Sequence, residues 1–301
     1  AAPVMNASTL FLRFPGIVQA ALGMLAIYLA VLVWDQSGWW MRDEEYHFGF
    51  LLPFFVGFVL MERWPMIRHI LVGREGAAPD GLAEIEAPSG IDGRAWIRGG
   101  AGLAMSMLTL GGMLVFLLGG IIRLAEGGLS VPSTVLFAFS FACIALGIPY
   151  LFFDRDASGR AIPVSDRLTL VKLLVFPAVI WLIASPMPGF IKQELKLFLL
   201  DKVVAVVYFS FELFGYPLIK EGNTFVLPEG RVGVADACSG IRSLTGCVVT
   251  GAFLAAVCFR RALPKVFLLG AAVVLAVASN LARSLFLTID RKSTRLNSSH
   301  Y

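Results

Sequence analysis

Charge is what this chain has least of. Asp, Glu, Lys and Arg make up 15% of its 301 residues, against 57% hydrophobic. A soluble domain carries about a quarter charged residues, so the polar surface needed to cover a water-soluble globule is missing. Mean hydropathy is +0.78. The net charge of +4 comes from basic residues spread along the chain. No basic run is interleaved with aromatics, which argues against a nucleic-acid partner. Cysteine is also sparse. Cys143, Cys247 and Cys258 stand inside apolar runs and read as small core residues. Cys238 stands apart, at the lip of an apolar segment, with no loop cysteine to pair with. No zinc pattern of paired Cys and His is present, so neither a metal nor a cofactor is expected. The apolar runs also lack the Ser/His pair, the His-Glu-x-x-His run and the two aspartates of other intramembrane proteases.

Long apolar runs are what the chain does have. A spanning helix needs about 20 mostly apolar residues, and seven runs qualify: 16–34, 47–61, 100–122, 129–153, 168–187, 241–259 and 264–287. The expected fold class is all-α, a polytopic integral membrane protein. The first run lacks a small-x-small cleavage site and reads as a retained signal anchor. Loop charges orient the spans. The loop 62–99 holds Arg63, Arg68, Arg74, Arg94 and Arg98, and two further basic loops are "DRDASGRAIPVSDR" and "RRALPK". These belong inside. The acidic loop 35–46, with Asp35, Asp43, Glu44 and Glu45, belongs outside.

Residues 190–216 are interrupted by Lys192, Glu194, Lys196, Asp201, Lys202 and Glu212. Ionised groups at mid-bilayer cost a few kcal/mol each, so this segment is expected as an amphipathic helix in the outer interface. Residues 218–236 follow, with "TFVL" and "RVGV" flanking a "PEG" turn, and resemble a small outer β-hairpin. The Gly-, Pro- and Ala-rich stretch 73–94 reads as a flexible cytoplasmic linker.

This topology brings two groups to one membrane depth on the outer side. "ADACSGIRSL" puts Cys238 at the N-terminal end of the sixth span, with Ser239, Gly240 and Arg242. "SNLARSLFLT" puts Asn280 and Arg283 near the outer end of the seventh. A helix N-terminus and a guanidinium both favour thiolate over thiol. An arginine can also donate to the oxyanion formed when a thiolate attacks a carbonyl. If Arg242 lies four residues down a helix from Cys238, the two share a face. The competing reading is that Arg283 snorkels to the headgroups and Cys238 merely packs.

"VADACSGIRSL" resembles the cysteine motif of the exosortase/archaeosortase family, and "SNLARSLFLT" is similar to that family's Asn-x-x-Arg motif. "FGYPLIKEGNTFVLP" resembles its lead-in, and "EEYHFGFLLP" its Tyr-x-His-Gly-x-x-x-Pro region, with the spacing changed by Phe48. The likeness is strong over 205–288 and weaker over 1–65. It implies one membrane domain over 1–289 and a transpeptidase of the bacterial inner membrane with its active site facing the periplasm. Implied substrates are exported proteins with a C-terminal tripartite sorting signal: a short motif (Pro-Glu-Pro in many bacteria), one transmembrane helix and a basic tail. The lipid bilayer is the surrounding partner, and the acceptor that resolves the thioester is water, a lipid amine or a glycan component. The family pattern carries Cys238 over as nucleophile and Arg283 as its stabilising partner. A histidine from a further outer-facing segment completes the bacterial set.

Only His47, His69 and His300 exist. His69 falls on the inner side by the charge rule. His47, at the start of the second span, is an outer-side candidate for a supporting role. His300 stands in "DRKSTRLNSSHY", whose residues Asp290–His300 are the translation of a common sequencing adapter. That reading sets 290–301 apart as an artefactual tail, expects the natural frame to continue past Ile289, and expects impaired activity. "AAPV" before Met5 likewise suggests a start at Met5. The alternative from another class is a non-enzymatic polytopic protein, a transporter or assembly factor, which calls for ionisable residues near mid-bilayer. Lys172 is the one noted, near the inner end of its span.

Overall fold

The computed structural model describes residues 11–72, 79, 95–213, 215, 219–221, 224–227, 230–233 and 240–298. The linker 73–94 lies outside them apart from residue 79 and the start of a helix at Ala95. The helices are α1 (Gly16–Arg42), α2 (Leu52–Val72), α3 (Ala95–Ala125), α4 (Val131–Phe152), α5 (Val164–Ile183), α6 (Gly189–Leu213), α7 (Ile241–Cys258) and α8 (Ala262–Ser298). A 3-10 helix, Glu44–Leu51, leads into α2. Strands β1 (Ile219–Glu221), β2 (Thr224–Leu227) and β3 (Gly230–Gly233) form one antiparallel sheet in that order. The "TFVL" and "RVGV" segments pair with Thr224 opposite Gly233 and Leu227 opposite Gly230. β1 adds a third strand to that hairpin.

Proline marks several helix starts, where its missing N–H costs nothing. Pro15 precedes α1, Pro163 precedes α5 and a proline lies in the first turn of α4. Helix α1 ends at Asp43, whose backbone is extended and whose Oδ1 accepts from the N–H of Glu45 at 3.0 Å.

Among the described residues six helical segments are long and apolar enough to cross a membrane: Gly16–Arg42, Glu44–Val72, Gly99–Ala125, Val131–Phe152, Ile241–Cys258 and Ala262–Phe286. The expected seventh, 168–187, is a helix but not among them. Every 18-residue window of α5 contains Asp166, Arg167 and Lys172. It is nevertheless packed in, with Leu173, Ile180 and Trp181 almost fully buried against its neighbours α4 and α2.

The chain, expected as one membrane domain through 289, divides into two compact units. One comprises 1–186 with 252–265, the other 187–251 with 266–301. In the first, α3 lies along α4, α4 along α5, α1 on α4 and α2 on α5. Close approach of α3 and α4 depends on glycine. A Cβ on Gly147 would collide with Thr109 Oγ1, and one on Gly112 would lie 2.8 Å from Cβ of Cys143.

Two charges expected in loops are built into helices instead. Helix α1 runs eight residues beyond the expected span and takes Asp35 with it, because no proline interrupts 34–42. Asp35 is 6% exposed, pairs with Arg123 of α3 and accepts from Thr134 Oγ1 at 2.6 Å. Its neighbour Gln36 donates to the Trp181 carbonyl and to Ser185 Oγ, both at 2.9 Å.

Helix α2 likewise continues past residue 61 to Val72 and carries Arg63 and Arg68. Arg63 is 4% exposed. Its Nη1 donates to the carbonyl of Leu173, and its Nη2 to that of Ala256 at 3.0 Å. Both carbonyls are orphans for a covalent or geometric reason. Pro177 stands four residues after Leu173 and has no N–H to offer it. Ala256 is in the last turn of α7, beyond which no helical N–H follows. Beside them, Arg260 Nη2 meets Glu62 Oε1 at 2.5 Å.

The loop between α4 and α5 closes on Asp156. Its Oδ1 accepts from the Ser158 N–H at 2.8 Å, Ser158 Oγ at 2.6 Å and the Arg160 N–H at 2.9 Å. Gly159 turns the chain at φ +85°. Burial pushes the Asp156 carboxyl up, but the bonds from Ser158 and Arg160 and the Arg160 charge outweigh it and hold it below its ordinary value. The loop is tied to α2 by Ala157 N–H donating to Leu71 at 2.9 Å.

Two outcomes are expected. Arg63→Met strands two buried carbonyls and lowers stability by about 3 kcal/mol, read as a drop in thermal midpoint in nanodiscs; Arg63→Lys recovers part of it. The Asp156 contribution is fully present above the unfolded carboxyl pKa of about 3.9 and is lost as pH falls through the lower folded value. The stability advantage of wild type over Asp156→Asn, read as the difference in thermal midpoint in nanodiscs, is therefore expected to be constant above about pH 4 and to shrink as pH falls below it.

Candidate active site

Helix α7 opens on a left-handed glycine. Gly240 has φ +74°, a region that glycine enters without penalty. Its carbonyl accepts the first helical N–H, from Leu244 at 2.9 Å, and also Ser243 Oγ at 2.8 Å. Gly240 is therefore the N-cap, and the four free N–H groups of the first turn make this end of α7 electropositive.

The second half of the site comes from α8. Ala276, Asn280 and Ser284 recur every four residues and are 2%, 6% and 2% exposed. Ser284 Oγ donates to the Asn280 carbonyl at 2.8 Å. The Asn280 amide occupies the space that a side chain at 240 would need: a Cβ there would lie 2.5 Å from Asn280 Cγ and 2.6 Å from Nδ2. Arg283 stands three residues further on, exposed, and such a spacing makes it a surface neighbour of Asn280. Leu281 and Leu285 pack on a stripe of α6 formed by Leu200, Val203, Val204, Val207 and Phe211.

Helix α6, over the 190–216 segment expected as non-spanning, is not among the helical segments apolar enough to cross a membrane. Helix α6 turns its most regular apolar stripe toward α8, while Phe190, Leu197, Phe198, Phe209 and Leu213 remain exposed among Glu194, Asp201, Lys202 and Glu212. Lys202 had no assigned role in the sequence. It borders a cavity of about 90 Å³ together with Phe198, Gly240, Leu244 and Asn280. Its ammonium lies 5.3 Å from the Phe198 ring centroid and 3.4 Å from Asp201 Oδ2. The signal was available as a lone "DK" interrupting an apolar run.

Cys238 and Ser239 lie outside the described residues, as does His300. Helix α7 begins at Ile241, and the relation expected between Cys238 and Arg242 lies outside the described residues. Arg242 is exposed in the first turn of α7. His47 is exposed on the 3-10 helix and His69 half-buried near the end of α2, both in the other unit. Cys143 is buried and Cys247 half-buried, but Cys258, expected in the core, is exposed at the C-terminal residue of α7. No cluster of three or more metal-ligating side chains occurs among the described residues.

A multi-pass helical protein with a polar turn opening one span and an Asn and an Arg on the next is the class that these features define. The family model for transmembrane exosortase (Exosortase_EpsH) matches residues 39–297, and the chain belongs to that family. No curated protein and no solved structure matches the chain.

Gly240→Ala is expected to destabilise the second unit by about 1–3 kcal/mol. Adding Asn280→Ala relieves the collision but not the positive φ, so the double variant recovers only part of the loss in a thermal or proteolytic unfolding assay.

Proposed function

We propose that the chain is a membrane cysteine transpeptidase that cleaves C-terminal sorting signals of exported proteins through a Cys238 thioester. The observation that carries this is the family match, which spans Cys238, Asn280 and Arg283 together. The close fit of Asn280 against Gly240 supports it, because it ties the turn that follows Cys238 to the helix that bears Arg283.

In this reading the electropositive start of α7 and the nearby guanidinium favour the thiolate. The sulfur attacks the carbonyl carbon of the scissile peptide, and Arg283 donates to the resulting oxyanion. Collapse expels the peptide nitrogen, which leaves as an amine once it takes up a proton, and the thioester remains. Water or an amine acceptor then attacks the thioester and releases the sulfur. Asn280 and Gly240 position the turn, and Arg242 and Ser239 support it. The 90 Å³ cavity beside Gly240 receives a small side chain next to the cleaved bond. The site faces the periplasm of the inner membrane. A histidine supplies the proton transfers in this reading, with His47 in a supporting role only.

The test is a full-length chain in proteoliposomes with an exported protein carrying a tripartite sorting signal. A hydroxylamine-labile adduct on Cys238 is expected, absent in Cys238→Ala. Arg283→Ala slows its formation by about 10²–10³-fold. No adduct, with Cys238 alkylated by iodoacetamide no faster than the exposed Cys258, would sink the enzyme reading in favour of a transporter or assembly factor.

A further inference from the structure

The first unit contains a second cavity that no step of the proposed chemistry uses. It measures about 470 Å³, within the roughly 300–1,000 Å³ of small-molecule pockets. Phe14, Leu25, Leu60, Trp64, Ile148 and Leu174 are among its lining residues, drawn from α1, α2, α4 and α5 and the turn before α1. Apart from the Trp64 indole, no lining side chain can hydrogen-bond. A polar ligand would be desolvated there with nothing in return, so the occupant is hydrocarbon.

Its length and position narrow the choice. The lining of α2 runs from Leu60 to Leu71, twelve residues whose ends stand about 16 Å apart at 1.5 Å per residue. That is about half of the roughly 30 Å hydrocarbon core, the depth of one leaflet. The deep end lies along the helices. The other end lies where α2 and α4 finish and α1 and α5 start, beside the cluster of Phe14, Ile70, Leu71, Phe153 and Ile162. The chain near this end carries Arg13, Arg68, Arg155, Arg160 and Arg167 against Asp154, Asp156 and Asp166. Arg13 and Arg68 directly adjoin the lining residues Phe14 and Ile67 in sequence. Asp156 is already engaged by Arg160 at 3.2 Å. The excess is positive.

We propose that this groove holds one acyl chain of an anionic phospholipid, its headgroup at the arginine-rich end and its tail one leaflet deep between α1, α2, α4 and α5. The inference does not depend on the transpeptidase reading. A groove sized for one chain, rather than a flat helix face, retains a lipid through extraction, and the cations select its charge.

The test uses the full chain in nanodiscs containing phosphatidylglycerol with a diazirine in mid-chain, with adducts mapped by peptide mass spectrometry. Adducts are expected to concentrate on Trp64, Ile67, Ile148 and Leu174. The exposed face of α3, including Leu103, Leu110 and Leu117, gives the background of ordinary lipid contact. Leu25→Trp and Leu174→Trp, each filling the groove from a different helix, reduce groove labelling to that background while labelling of α3 stays unchanged. A phosphatidylcholine probe of the same chain labels the groove less, and Arg13→Gln with Arg68→Gln removes the difference. Groove labelling no higher than on α3 in the unaltered chain overturns the proposal. So does equal labelling by both lipids, which removes the anionic preference. Groove labelling that emerges only when residues 1–10 are deleted assigns the groove to that segment instead.

Discussion

A membrane interior offers no water to a backbone carbonyl that has lost its partner, and the first unit is organised around two such carbonyls. Pro177 frees the carbonyl of Leu173, and the end of α7 frees that of Ala256. One guanidinium, that of Arg63, answers both. The arrangement fixes three helices to one another through a single side chain with five donors in a fixed plane. It also explains how a cation is tolerated in an apolar helix. Most arginines inside spans invite a functional explanation; this one is accounted for by the backbone it satisfies. Glu62 and Arg260 close around the same place and keep the local charge from standing alone.

A comparable economy governs the opposite charge. Asp35 would be a liability at 6% exposure without Arg123 and Thr134. With them it links α1, α3 and α4 where their apolar surfaces alone would leave sliding and rotation undetermined. In lipid, apolar contact between helices gains little over contact with acyl chains. The specific polar ties and the glycine contacts, Gly147 against Thr109 and Gly112 against Cys143, therefore define how these helices are placed.

In the second unit the deciding contact is smaller. A left-handed glycine opens α7, and a buried asparagine of α8 fills the space that its missing side chain leaves. The Asn-x-x-Arg spacing thus does two jobs on one helix. Its first residue packs inward against the turn, and its last remains exposed beside it. In the proposed reaction this spacing separates positioning from charge stabilisation while keeping both on one rigid element.

Much of this was legible in the residues. The scarcity of charge announced a membrane protein, and apolar runs of 15 to 25 residues located the helices because the bilayer imposes a length. "TFVL" and "RVGV" announced their pairing through β-rich residues about a Pro-Glu-Gly turn. The family motifs put Asn280 and Arg283 on one helix before any coordinates, and both stand on α8; Cys238 lies outside the described residues. What hydropathy misjudged were the charges near helix ends: Asp35 and Arg63 read as loop residues, and α5 as a simple span. Window averages weigh a charged residue by its type, whereas its actual cost depends on the partner that meets it. Those partners, Arg123 for Asp35 and two carbonyls for Arg63, stand 88 or more residues away in the chain. Composition and local pattern determined that this protein is helical and lives in a bilayer. Only the tertiary structure decided which polar groups are buried, because burial is a property of the neighbours that fold against them.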